Sequence, residues 1–225
     1  KRIKGELKGR KLSDSAKEIL LPKWNTDTPD TSVLENLLTA EPVALKKLND
    51  DLWKKLQALP CRKRPDKKRL NDVFDYEHLI DKNKKNSYWL AQLVGRNSCV
   101  YCNRTYAVTV IKKVDTKHTE YIARPTFDHW YSHAQYPLMS MSLCNLIPSC
   151  SVCNSSVKTS TSFDLATHIH PYVHEPEHPK LKFEASLKTS TTKDWTVEIK
   201  TDPGSKEEKT VEDLAPLRSG FRAKY

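Results

Sequence analysis

The chain has 225 residues, 37% hydrophobic and 29% charged, with five glycines and a formal net charge of +10. That composition excludes a collagen-like or disordered chain and is long enough to bury a core. No stretch approaches the ~18 consecutive apolar residues of a membrane span, and the positive balance points to a polyanionic partner, against the plain alternative of a solvated lysine-rich surface.

In chain order, the surplus comes early. Residues 1–98 hold 22 Lys/Arg against 14 Asp/Glu, and residues 99–225 hold 16 against 14. It is densest in CRKRPDKKR (61–69), with smaller runs at 1–11 and 82–85. The opening KRIKGELKGRK is basic but has no apolar run of the signal-peptide kind, so a cytoplasmic location is expected. Residues 31–40 predict a short helix capped by Thr31 or Ser32. EPVALKKLNDDLWKKLQAL (41–59) predicts a longer one, with Leu45, Leu48, Leu52, Leu56 and Leu59 on one stripe, Trp53 beside it, Pro42 in the first turn and Pro60 as the stop. The basic run 61–69, with Pro65, joins this helix to the next, with an exposed linker as its plain alternative. A further helix is expected over 86–95, with Tyr88, Trp89, Leu90, Leu93 and Val94 apolar and Gly95 ending it. Trp24, Trp53, Trp89 and Trp195 are expected in the core.

The pattern changes at residue 99. TYAVTVI (105–111) and YIARPTFDH (121–129) predict a hairpin around KKVDTKHTE. A third strand fits CNLIPS (144–149), and a helix is expected from Cys153–Asn154. LKFEASL (181–187) and DWTVEIK (194–200) predict a second hairpin, and the residues from Asp202 onward read as turn-rich. The expected fold is α+β, in three regions. Residues 1–98 are basic and mainly helical, 99–175 form a central core, and 176–225 form a C-terminal hairpin and tail packing on it.

Four of the six cysteines form two C-x-x-C pairs, Cys99/Cys102 and Cys150/Cys153. Two such pairs complete a tetrahedral four-thiolate shell with no open position for water, which makes the expected ion a structural zinc. Forty-seven residues lie between Cys102 and Cys150, more than the ~15–20 of a minimal zinc ribbon, so something substantial is inserted. Cys61 and Cys144 are left over and are expected as half-buried thiols.

The insert and the second cysteine pair read RPTFDHWYSHAQYPLMSMSLCNLIPSCSVCNSSVK (124–158). Hydrolysis of a phosphodiester needs a base for the attacking water, a cation on the phosphate, and a scaffold aligning them. Asp128 and His129 are adjacent at the end of a strand and project to opposite faces. Asn154 opens the next helix and offers an amide oxygen; such oxygen donors suit Mg²⁺ or Mn²⁺.

The order C-x-x-C, D-H, N, C-x-x-C-N resembles the HNH, or ββα-metal, endonuclease superfamily. DHWYSHAQYP…CNLIPSCSVCNSSVK is more similar still to HNH proteins of bacterial anti-phage systems, the Septu-type and retron-associated PtuB-like nucleases. The resemblance covers roughly residues 98–175, including the HPY at 170–172. It implies a ββα-metal core, with His129 as general base and Asp128 and Asn154 as ligands of a catalytic Mg²⁺ or Mn²⁺. It makes Asn145 the middle asparagine, which orients the His129 ring or holds the loop. It implies an endonuclease acting on DNA with low sequence specificity, a bacterial antiviral defence role and a separate ATPase subunit. The helical first region would dock that partner or grip DNA. A zinc-stabilised binding or assembly module without turnover, and an RNase, stay open beside this reading.

Weaker candidates surround the site. His133 and Lys158 are each possible phosphate contacts, against an ordinary loop residue and an ordinary exposed lysine. Trp130 is expected to wall the site. His168, His170, His174 and His178 fall in THIHPYVHEPEH, which reads as a solvated loop rather than a second metal site. There is no glycine-rich phosphate loop.

Overall fold

A computed structural model describes residues 11–115, 118–158, 163–173, 182–187 and 195–213. The fold is α+β: short helices and three small antiparallel sheets of two strands each among the described residues.

Helix α1 (Asp14–Leu20) begins where Ser13 Oγ accepts from Ala16 N–H. Helix α2 (Ser32–Thr39) is capped differently from expectation. Thr31 makes no cap bond to the backbone and donates its hydroxyl to Glu35, while Asp30 accepts from Ser32 N–H at 2.9 Å. Helix α3 (Pro42–Gln57) keeps the expected stripe, with Leu45, Leu52 and Leu56 buried and Leu48, Trp53 and Leu59 packed at the edge. The basic run is not a linker. It forms a single turn at Cys61–Lys63 and then helix α4 (Lys67–Val73), because Asp66 accepts from Arg69 N–H at 2.7 Å and Leu70 and Val73 are apolar anchors. A wide helical turn over Glu77–Asp81 leads to α5 (Lys84–Val94), which Gly95 ends in the left-handed region at φ 61°. Trp89 and Leu93 lie on the outward face of α5, Trp89 57% exposed, so Trp89 is not core. Trp24 and Trp53 are partly buried against the core. The Trp195 side chain lies outside the described residues.

The first hairpin is shorter than its sequence pattern. Tyr106 bridges Ser98 beside the first cysteine pair, and only β1 (Val110–Lys113) and β2 (Thr119–Ala123) pair with each other. Pro125 has no N–H to continue the ladder, and Arg124 turns aside to Asp81 at 2.6 Å. The chain restarts as β3 (Thr126–His129), which pairs with β4 (Leu146–Ser149), Asp128 opposite Ile147 and His129 opposite Leu146. A wide helical segment, Val152–Lys158, comes next. The second expected hairpin is present as β5 (Lys182–Leu187) and β6 (Trp195–Lys200), its connection lying outside the described residues. Beyond Asp202 the chain is not all turn, since Lys206–Asp213 forms helix α6, tied to the preceding region by Ile169 N–H donating to Thr210 Oγ1 at 2.9 Å.

One buried cluster joins both sides of residue 98. Leu20, Leu37, Leu45, Leu56, Leu70 and Phe74 pack with Trp130, Tyr131, Met139, Ile147 and Phe163. Burying each such side chain is worth about 1.5–3 kcal/mol, so the helical region and the motif region hold one another in place. Ser142 Oγ donates to Leu37 O, and the Cys144 thiol to Ala40 O at 3.0 Å. Cys144 is half-buried as expected; Cys61 is exposed.

Candidate active site and metal centre

The four cysteines meet. Cys99 and Cys102 sit in a tight turn closed by Asn103, whose φ of 49° its short polar side chain tolerates. Cys150 follows β4 directly, and Cys153 lies in the wide helical segment. The four Sγ atoms lie within 4.8 Å of one another, and tetrahedral zinc with Zn–S bonds of ~2.3 Å needs sulfurs about 3.8 Å apart. Cys153 N–H points at Cys150 Sγ. Burial opposes it, yet the N–H groups of Arg104 and Thr105 bring the Cys102 thiol down to about 6. Burial pushes Cys99 and Cys153 up. Those two need a cation to release their protons, so the chemistry of the set fits a thiophilic ion such as zinc.

Asn145 is fully buried. Its Oδ1 accepts from Tyr131 N–H at 2.7 Å, and its Nδ2 donates to Tyr131 O at 3.1 Å and Met139 O at 3.0 Å. Of the two expected roles, this is loop-holding. The His129 ring takes its orientation elsewhere, from Nε2 at 2.9 Å from the Ser140 carbonyl. A carbonyl only accepts, so Nε2 carries the proton and Nδ1 is the basic nitrogen. Ser140 is itself pinned, its hydroxyl donating to Phe74 O at 2.7 Å.

His129 lines a cleft of about 530 Å³ together with Tyr76, His133 and Asn154 and with Asp72, Asp75, Glu77 and His78. Tyr76 meets the His129 ring edge-on at 4.6 Å, and the exposed His133 ring lies 4.9 Å from it. Burial lowers the His129 pKa to about 4, with the charges of His133 and Lys158 acting in the same direction, so the imidazole is neutral at pH 7. Asn154 rests on β3 through a long contact of 3.5 Å from Nδ2 to Phe127 O.

Asp128 is not among the residues lining that cleft. Strand alternation turns it to the other side of β3, where it is buried. Tyr101 OH donates to its Oδ2 at 2.6 Å, and Lys158 Nζ lies 3.1 Å from the same oxygen. Lys158 is therefore no exposed lysine. It is 2% exposed, donates to His129 O at 2.6 Å and lies 5.0 Å from the Phe163 ring. Its pKa is lowered by burial, against the pull of Asp128. As arranged, Asp128 and Asn154 supply hard oxygen donors but not an open cation site, because an ammonium already neutralises the carboxylate.

Trp130 is fully buried among Tyr131, Phe163 and His170, and does not wall the cleft. His168 and His170 are also buried, His168 stacked on Phe163 and His170 tilted against Trp130 at 4.5 Å, so residues 168–170 are not a solvated loop. His174 and His178 lie outside the described residues. Sequence reasoning missed Tyr101, Ser140 and the 72–78 wall. Tyr101 could have been suspected from its place inside a C-x-x-C, but nothing local marks the others. Among the described residues no helix is long and apolar enough to cross a membrane. Neither protein-family models, curated proteins nor solved structures contain a match to this chain.

Proposed function

We propose that the chain is an HNH-type endonuclease that hydrolyses phosphodiester bonds of DNA with little sequence preference, with His129 as the general base. The observation that carries this is the His129 ring itself. It lines a cleft, is neutral at pH 7, and spends Nε2 on a fixed carbonyl, so that Nδ1 is unprotonated. A strand pair followed at once by a helical segment, with the cysteine cluster at the junction, supports a ββα-metal core around it. Structural zinc on Cys99, Cys102, Cys150 and Cys153 belongs to the reading.

A catalytic Mg²⁺ or Mn²⁺ on Asp128 and Asn154 is also part of the proposal. Its binding requires Lys158 to give up Asp128. A role in antiviral defence beside an ATPase subunit rests on the motif resemblance alone.

The test is nicking of supercoiled plasmid with added Mg²⁺ or Mn²⁺, run beside single-stranded DNA and structured RNA. His129→Ala is expected to lose about 10²–10⁴ in rate while keeping the fold and the zinc content. Cleavage confined to RNA would make the chain an RNase. The Asp128–Lys158 pair favours a second reading, a zinc-stabilised nucleic-acid-binding module. Binding without cleavage under any cation would establish it.

A further inference from the structure

The basic run is built as a rigid wall. Pro60 and Pro65 bracket the turn at Cys61–Lys63, and Ser13 Oγ donates to Lys63 O at 2.6 Å. Beneath it, Leu70 and Val73 of α4 are fully buried. Arg62, Lys63 and Arg69, with Lys11 and Asp72, line a groove of about 470 Å³. Asp72 also lines the His129 cleft, so the groove and the cleft share α4 as a common wall.

The link to the base is as firm. Helix α4 packs on Pro137–Met139, in the loop that follows His129. Phe74, the next residue after α4, accepts from Ser140 Oγ, and the Ser140 carbonyl takes His129 Nε2. The separation between the cations and the imidazole is therefore set by packed structure, not by a tether.

The cleft that His129 lines is also lined by three carboxylates, Asp72, Asp75 and Glu77. A polyanion would not be drawn in by those carboxylates, so attraction has to come from beside them. Two guanidinium forks and two ammonium groups around one groove match the oxygens of successive phosphates. We infer that the groove of Lys11, Arg62, Lys63 and Arg69 holds the sugar-phosphate backbone of a nucleic-acid strand flanking the bond presented to His129. The position of the scissile bond rests on the nuclease reading; the binding does not.

The experiment uses the full chain carrying His129→Ala, which leaves bound strands intact. Its affinity for labelled duplex DNA, single-stranded DNA and an RNA stem is measured between about 50 and 200 mM salt. Adding Arg62→Gln, Lys63→Gln and Arg69→Gln is expected to weaken duplex binding by about tenfold or more. The slope of log affinity against log salt should fall by about 2–3, near 0.9 for each phosphate no longer neutralised. Lys112→Gln with Lys113→Gln, on β1, is the comparison and is expected to change neither. Thermal midpoints show that both variants fold. An effect confined to the RNA stem keeps the groove and changes its strand to RNA. Unchanged binding by the triple variant, or an equal loss in the β1 variant, overturns the inference. Groove-dependent binding by a protein that never cleaves would sink the nuclease reading alone. Cleavage by the wild type alongside unchanged binding by the triple variant would sink the groove alone.

Discussion

The Tyr101 hydroxyl donates to Oδ2 of Asp128 at 2.6 Å, joining the turn that carries Cys99 and Cys102 to the strand that carries His129. Burial and the neighbouring carboxylate both push the Tyr101 pKa well up, so it stays a donor. The cysteine cluster and the imidazole are thus mechanically connected through one hydrogen bond and one residue of strand.

Tyr101→Phe removes that bond and little volume. Hydrogen bonds to charged groups contribute about 1.5–3 kcal/mol, and a loss of that size in denaturant unfolding is expected, with zinc still bound. An unchanged midpoint would mean that the link is not mechanical.

Stripping zinc with a strong chelator should do more. Structural zinc in small peptides is worth an apparent ~10–16 kcal/mol, and both pairs close on segments that flank the site. Loss of near-UV circular dichroism on chelation, and its return on adding zinc, is the expected outcome. Retained tertiary signal in zinc-free protein would contradict it.

Lys158→Met leaves Asp128 buried without its cation. Breaking a buried pair from one side costs about 3–5 kcal/mol, read as a lower thermal midpoint. A cation that binds Asp128 should then raise the midpoint of this variant in Mn²⁺ by more than it raises the wild type. Equal shifts in both would argue against Asp128 as a ligand.

Asn145→Ala strands the N–H of Tyr131 and the carbonyls of Tyr131 and Met139 in a buried setting. Each unsatisfied group costs about 1–3 kcal/mol. Faster amide exchange across residues 130–140, next to His129, is expected to accompany the loss of stability.

Acid should unfold the protein partly through His170. Burial lowers its native pKa to about 4, and its Nδ1 accepts from Tyr172 N–H at 3.1 Å, so it is folded as the neutral form. The native state then binds fewer protons than the unfolded chain. Stability is complete above the unfolded value near 6.5 and drains as pH falls toward 4, by a total on the order of 3 kcal/mol. His129 acts with the same sign. Urea unfolding at about pH 7.5 and about pH 4.5 should show a smaller difference for His170→Gln than for wild type. An equal difference in the two proteins would remove His170 from the account.

The sequence determined what is encoded within a few residues. Thiols three apart declared the two pairs, leucines at helical spacing declared α3, and Asp128 next to His129 marked a candidate site. Short spacing fixes local geometry whatever the rest of the chain does. Tertiary structure alone decided the outcomes that join distant segments. Lys158 looked exposed because its partner lies 30 residues away. The strand run 121–129 looked continuous until Pro125 broke it and β3 found β4. The basic run looked like a linker because the apolar floor beneath α4 comes from elsewhere in the chain. Whether a lysine is buried or a cleft has a second wall depends on what packs against it. That is a property of the assembled core and of no single stretch of sequence.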